Sequence, residues 1–190
     1  MDKSLAEKNV RAKKMMLWFS MISMTMTFAG LTSAYVVSSS RSDWLEGFAM
    51  PTAFSISTLI IVLSSASFYL AKQRLKQDQL GQFKLLLWAT LALTLLFVYF
   101  QFQGFAEVIA QGYYFTGAQS SITTSFLYVL VLLHIAHLVG GIIVLLVVLT
   151  RAYLGKYSPE NLLGIELAEL FWHFLDFLWL YLFVFLSIYQ

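Results

Sequence analysis

Residues 166–179 read Glu166-Leu-Ala-Glu169-Leu-Phe-Trp172-His173-Phe-Leu-Asp176-Phe-Leu-Trp179, inside an apolar run that covers residues 162–189. A helix needs about 20 apolar residues to cross a bilayer core, and this run is long enough. Ionisable side chains at such depth are costly, so they face a bundle interior, a cavity or a partner. At about 100° per residue, Glu166, Glu169, His173 and Asp176 fall within an arc of about 80° and form one stripe. The run is therefore read as one helix of a membrane bundle, with a polar side turned toward something specific.

Four more runs reach the same length, over residues 15–37, 52–71, 85–103 and 122–150. Their separators carry turn and charge marks: Ser38-Ser39-Ser40-Arg41-Ser42-Asp43, the charged stretch 72–84, and Ser158-Pro159-Glu160-Asn161. Pro51 and Pro159 both fall at helix starts, where the missing N–H costs little. The chain of 190 residues is thus expected to be an all-α membrane protein, a five-helix transmembrane bundle forming a single domain over 1–190. The first run is longer than the h-region of a signal peptide, about 7–15 residues, and reads as a retained helix.

Composition agrees. Hydrophobic residues make up 59% of the chain and charged residues 12%, where a soluble domain has about 25% charged. The 17 Phe, 10 Tyr and 5 Trp suit contact with lipid tails and interfaces. A net charge of +2 gives no reason to expect nucleic acid. With no cysteine, disulfides, iron–sulfur clusters and thiolate zinc sites are excluded.

Orientation follows from the basic residues. Lys3, Lys8, Arg11, Lys13 and Lys14 precede helix 1; Lys72, Arg74, Lys76 and Lys84 lie between helices 2 and 3; Arg151 and Lys156 lie between helices 4 and 5. With five spans these segments share one side, and only Arg41 of the 12 basic residues is on the other. The N-terminus is expected in the cytoplasm and the C-terminus in the periplasm. No separator is long enough for a soluble catalytic domain, so function resides between helices or against a partner.

Helix 1 is rich in small and hydroxyl residues, and Ser23, Thr27 and Gly30 make one close-packing stripe. Ser64, Ser65 and Ser67 do the same in helix 2. For the helix 5 stripe, helix 4 offers a partner, because His134 and His137 share a face. At about 1.5 Å per residue from the outer ends, His137 and Asp176 both come out about 20 Å deep. The same count places Arg151 and Glu166 together near the cytoplasmic boundary. Gly140 and Gly141 would let a neighbouring helix approach closely. Three readings of the cluster stand: buried pairs that lock helices 4 and 5, a metal or haem site using His134, His137, His173 and Glu169, or a polar groove for lipid headgroups or proton relay. A four-helix di-iron site wants two Glu-x-x-His motifs, and none occurs here.

Helices 4 and 5 resemble subunit III of the haem–copper terminal oxidases, the cytochrome c and quinol oxidases. The resemblance rests on His134-Ile-Ala-His137-Leu-Val-Gly140-Gly141, on Gly164-Ile-Glu166, and on Trp172-His173-Phe174-Leu175-Asp176-Phe-Leu-Trp179. The segment Gln103-Gly104-Phe-Ala-Glu107 with Gly112-Tyr-Tyr114-Phe115-Thr116-Gly117 is also similar to bacterial members. Two departures stand out. A buried carboxylate of the family falls on Met24 here, and Glu169 is an acid where the family has a small residue.

The resemblance implies the short bacterial form, with five helices and no haem, copper or catalytic residue of its own. It implies a non-catalytic subunit, packed against oxidase subunit I beside subunit II and other respiratory subunits in the bacterial inner membrane. The complex would reduce O2 to water and pump protons, with haem and copper on the partner subunits. This chain would bind phospholipid and stabilise subunit I. On that basis His134, His137, Arg151, Glu166, Glu169, His173 and Asp176 are structural, lipid-contact or proton-relay candidates. The alternatives are a five-helix metallo- or haem enzyme using His134, His137 and His173, and a small transporter.

Overall fold

The computed structural model describes residues 3–41, 44–45, 50–117 and 120–189. Ser42 and Asp43 of the first separator lie outside these residues. Among the described residues there are five helices and no strand: α1 (Lys3–Ser38), α2 (Thr52–Lys76), α3 (Leu80–Ala110), α4 (Ile122–Tyr153) and α5 (Leu163–Ile188). Each is long and apolar enough to cross a membrane.

The helices outrun the apolar stretches that mark them. α1 starts at Lys3, long before the run that opens at residue 15, and α3 continues through Gln103 and Glu107 to Ala110. Hydrophobicity reports only the part of a helix that lies in hydrocarbon, whereas backbone hydrogen bonding carries the helix on into the interface. Lys72, read as part of the separator, consequently sits inside α2.

Local chemistry sets the ends. Ser121 caps α4 by accepting from the Thr124 N–H, and the Thr124 hydroxyl accepts from the Ser121 N–H, a reciprocal capping box. Beyond Leu154, Gly155 takes φ of +65°, the left-handed conformation that stops a helix most easily with glycine.

α5 is the central element. It packs on α1, α2 and α4; α4 also meets α1 and α3, and α2 lies most extensively on α3. Among the described residues α1 makes no packing contact with α2, its neighbour in sequence. α5 therefore floors an open cleft between them. Between the helices, where lipid and side chains are equally apolar, association depends on close fit and internal hydrogen bonds. Gly104 supplies fit, since a Cβ there would come within 2.3 Å of the buried Phe54 ring of α2. Gly141 does the same for Leu175 and Trp172 of α5, while Gly140 has nothing within 4 Å. Only one of the two adjacent glycines serves close approach, because they point about 100° apart.

The buried core falls in two apolar clusters. One holds Phe28, Tyr35, Phe54, Phe97, Leu138 and Trp179; the other holds Phe68, Leu87, Leu145, Ile165 and Trp172. Polar side chains cross the interior near their junction, and these build the site.

Candidate functional site

The acid–histidine stripe of α5 faces α2. Ser65 and Lys72 are seven residues apart on α2, and Glu169 and Asp176 are seven apart on α5, so each pair lies on one face of its helix. Lys72 Nζ donates to Glu169 Oε2 at 2.5 Å. Glu169 Oε1 lies 3.8 Å from His173 Nε2, one helical turn along. The other ring nitrogen of His173, Nδ1, is hydrogen-bonded to Ser65 Oγ at 2.6 Å. Ser65 also adjoins Asp176, but its hydrogen bond goes to His173, and both Asp176 oxygens are buried without a hydrogen-bond partner. Lys72, Glu169, His173, Ser65 and Asp176 thus form one polar seam running into the span.

Two tryptophans reinforce it. Trp172 Nε1 donates to Ser64 Oγ at 3.3 Å, and Trp179 Nε1 donates to Thr58 Oγ1 at 3.0 Å. Indole burial is favourable only when the N–H finds an acceptor, and α2 provides a hydroxyl for each. Farther along, Gln101 of α3 is fully buried and donates to Ser57 Oγ at 2.8 Å.

The partner expected from depth is not the one observed. His137 does not meet Asp176: its Nδ1 approaches its own helix at Leu133 O, 2.7 Å away, and its ring packs against Phe28 of α1 at 5.6 Å between centroids. His134 turns the other way and is fully buried between Phe97 of α3 and Trp179 of α5, with centroids at 6.1 and 5.3 Å. Counting residues gives depth but not the rotation of a helix about its axis, and here rotation aims the stripe at α2. Arg151 and Glu166 likewise form no ion pair among the described residues. Arg151 lines a cavity beside α4, and Glu166 lines a separate one in the α1–α2 cleft. The Arg151 guanidinium instead meets the hydroxyl of Tyr157. Burial raises the Tyr157 pKa above its ordinary 10.0, and the charge and hydrogen bond of Arg151 offset part of that rise.

The three histidines therefore look into three different surroundings: His134 into the aromatic core, His137 toward α1, and His173 into the α2 seam. They do not assemble the ligand set that a metal enzyme would need, and among the described residues no three His, Asp or Glu are grouped to hold an ion. Ser65 and Lys72 are the participants that sequence reading did not assign to the site. Their seven-residue spacing, matching that of Glu169 and Asp176, is the signal that finds them.

Arg151 belongs to a groove of about 530 Å³ lined also by Lys13, Lys156, Tyr157 and Asn161. Gly164 and Leu167 form its inner wall, and the same two residues open an adjoining apolar cavity of about 280 Å³ with Leu17, Ser20, Val144 and Phe171. Three cations thus stand at the mouth of an apolar slot between α1, α4 and α5.

Five membrane-length helices, an ionisable seam within the bundle and a basic groove at one end define a multi-pass membrane protein of the helix-bundle type. The family model for cytochrome c oxidase subunit III matches residues 19–190. A cytochrome c oxidase subunit 3 of Thermostichus vulcanus is 30% identical over 176 residues, covering 88% of this chain and 83% of that relative. A cytochrome bo(3) ubiquinol oxidase subunit 3 of Buchnera aphidicola is 27% identical over 189 residues, covering 96% and 95%. A cytochrome c oxidase subunit 3 of Marchantia polymorpha is 34% identical over 132 residues, 68% of this chain and 46% of that longer relative. The chain belongs to the cytochrome c oxidase subunit III family, and is of the subunit III type found in haem–copper terminal oxidase complexes.

Proposed function

We propose that this chain is the non-catalytic subunit III of a respiratory oxidase that reduces O2 to water and pumps protons, and that its work is to hold phospholipid and stabilise subunit I. The groove of Lys13, Arg151 and Lys156 leading into an apolar slot carries this reading. Its cations suit a lipid phosphate at the membrane surface, and the slot suits the first part of an acyl chain. The seam of Glu169, His173 and Asp176 fixes α5 to α2, so that α5 presents its other sides to α1 and α4. Glu166 belongs to a headgroup contact, and His134 and His137 pack the interior. Haem and copper reside on the partner subunits, with subunit I in direct contact and subunit II beside it.

The chain forms one membrane domain in the bacterial inner membrane, with its N-terminus in the cytoplasm and its C-terminus in the periplasm. The basic groove then lies on the cytoplasmic side, where anionic lipid headgroups attract lysine and arginine. Purification of the chain with its native partners tests the reading. Co-elution with a haem- and copper-bearing subunit is expected, with no haem on the separated chain and loss of bound phospholipid in Arg151→Ala. Stoichiometric haem or iron on the isolated chain, lost in His137→Ala, would overturn it.

A further inference from the structure

Packing alone does not account for Asp176. It is 4% exposed, and both of its carboxyl oxygens are buried without a hydrogen-bond partner. A carboxylate in apolar surroundings needs donors, whereas a neutral carboxylic acid needs far less. A seam meant only to fasten α5 to α2 would be served as well by a residue without charge. An ionisable group kept at such depth has a use for its proton.

One side chain separates Asp176 from an accessible group. Ser65 of α2 adjoins Asp176 and is hydrogen-bonded to His173 Nδ1 at 2.6 Å. The His173 side chain is 35% exposed and lines a cavity of about 330 Å³ that opens into the α1–α2 cleft; Asp176 does not line it. A serine hydroxyl both donates and accepts, so it can take a proton from one neighbour while passing its own to the other. The charged groups around this line are Lys14 of α1, Lys72 of α2, and Glu166 and Glu169 of α5. α4 turns its histidines elsewhere, His134 into the aromatic core and His137 against Phe28. Farther along α5 the polar line ends: Trp179, Leu182 and Leu186 are buried in the apolar cluster that holds Phe54 and Ile61, and the Trp179 N–H is committed to Thr58.

We propose that Asp176 is a proton store within the span, filled and emptied from the α1–α2 cleft through His173 and Ser65. Loaded, the store holds its proton on Asp176, and Ser65 donates to Nδ1 of a neutral His173 whose Nε2–H faces Glu169 Oε1 at 3.8 Å. Unloading breaks the Asp176 O–H bond and forms a new O–H bond on Ser65, while the former Ser65 proton forms an N–H bond at Nδ1. The imidazolium so formed faces the Glu169 carboxylate and releases its Nε2 proton into the cavity. Asp176 remains as a carboxylate that accepts from Ser65. Refilling runs the same steps in reverse. With one opening, the store exchanges protons with one side of the bundle and conducts none across it.

The test follows the carboxylic acid C=O band of Asp176 by time-resolved infrared spectroscopy, with the full chain in nanodiscs. Isotope-labelled aspartate separates this band from those of the glutamates, and Asp176→Asn assigns it. The chain is equilibrated in alkaline buffer and acidified by a photo-released proton. In the wild type the band should be present in acid, absent in alkali, and return after the jump. Ser65→Ala and His173→Phe should each slow its return by about tenfold or more, while Ser65→Thr, which keeps the hydroxyl, should stay within about twofold of wild type. If Ser65 only braced the helices, its loss would loosen the interface, admit water and speed the return instead. No aspartic acid band in the wild type, or a band indifferent to pH, overturns the proposal, and neither result needs a variant to fold. A return as fast in Ser65→Ala as in the wild type overturns it as well.

Discussion

Breaking the Lys72–Glu169 pair should cost far more stability than removing it altogether. The two groups touch at 2.5 Å, with side-chain exposures of 20% and 8%. With charge centres about 4 Å apart and an effective dielectric of about 20, their attraction is about 4 kcal/mol, most of which offsets desolvation. Removing one partner forfeits the attraction and leaves the desolvation. Buried pairs lose about 3–5 kcal/mol in this way. Lys72 retains some access to the interface along its flexible stem, which lowers the figure to about 2–3 kcal/mol for Lys72→Met or Glu169→Leu. The double variant leaves neither charge stranded and should fall within about 1 kcal/mol of wild type, a coupling of about 3 kcal/mol or more. Unfolding of the full chain in mixed micelles, titrated with denaturing detergent, measures all four states. Tryptophan fluorescence is a suitable signal, because Trp172 bonds to Ser64 across the same interface. If the double variant loses the sum of the two singles, the ion pair does not join α2 to α5 and the seam has been misread.

Gly104→Ala should destabilise the same chain by about 2 kcal/mol. The helix gains about 1 kcal/mol from alanine, but the new Cβ would lie 2.3 Å from a Phe54 ring that Phe105 and Trp179 hem in, and overpacking of that kind costs about 3 kcal/mol. Adding Phe54→Leu should recover part of the loss, while Gly140→Ala, with open space around it, should cost nothing. Tyr157 should titrate above its ordinary 10.0 when its absorbance is followed against a Tyr157→Phe control, and higher still in Arg151→Ala, which removes the lowering influence. Because its folded pKa is raised, the stability tied to Tyr157 is complete below pH 10 and fades as the pH climbs through the folded value. Asp176→Asn should reduce the amount of oxidase complex recovered more than it slows a single turnover of complex that has assembled. A fully assembled Asp176→Asn complex unable to reduce oxygen would contradict a structural role for the seam.

The helices were legible because hydrophobic length is one-dimensional information, and five runs of sufficient length leave little freedom. The stripe on α5 was legible for a similar reason: angular position within one helix follows from residue spacing alone. Its partner was not. Depth matched Asp176 to His137, but contact also requires that the two helices be rotated toward each other, and no single-helix count supplies that angle. The mirrored seven-residue spacings, Ser65 to Lys72 and Glu169 to Asp176, carry the missing information only when two helices are compared. Lys72 was harder still, because a lysine at the end of an apolar run looks like an orientation charge until the helix is seen to continue past it. Gln101 illustrates the converse, a polar residue near the end of a run that is fully buried against Ser57.

The separation of α1 from α2 bears on how the chain is put together in the membrane. α1 precedes the α2–α3 hairpin in the chain, yet among the described residues it touches only α4 and α5. It therefore gains no partner from the α2–α3 hairpin, and its docking begins with α4 and is completed by α5. A chain halted before Leu163 would retain the hairpin yet lose the helix that packs directly on both α1 and α2. In biogenesis α5 acts as the latch, and its insertion becomes a checkpoint on assembly.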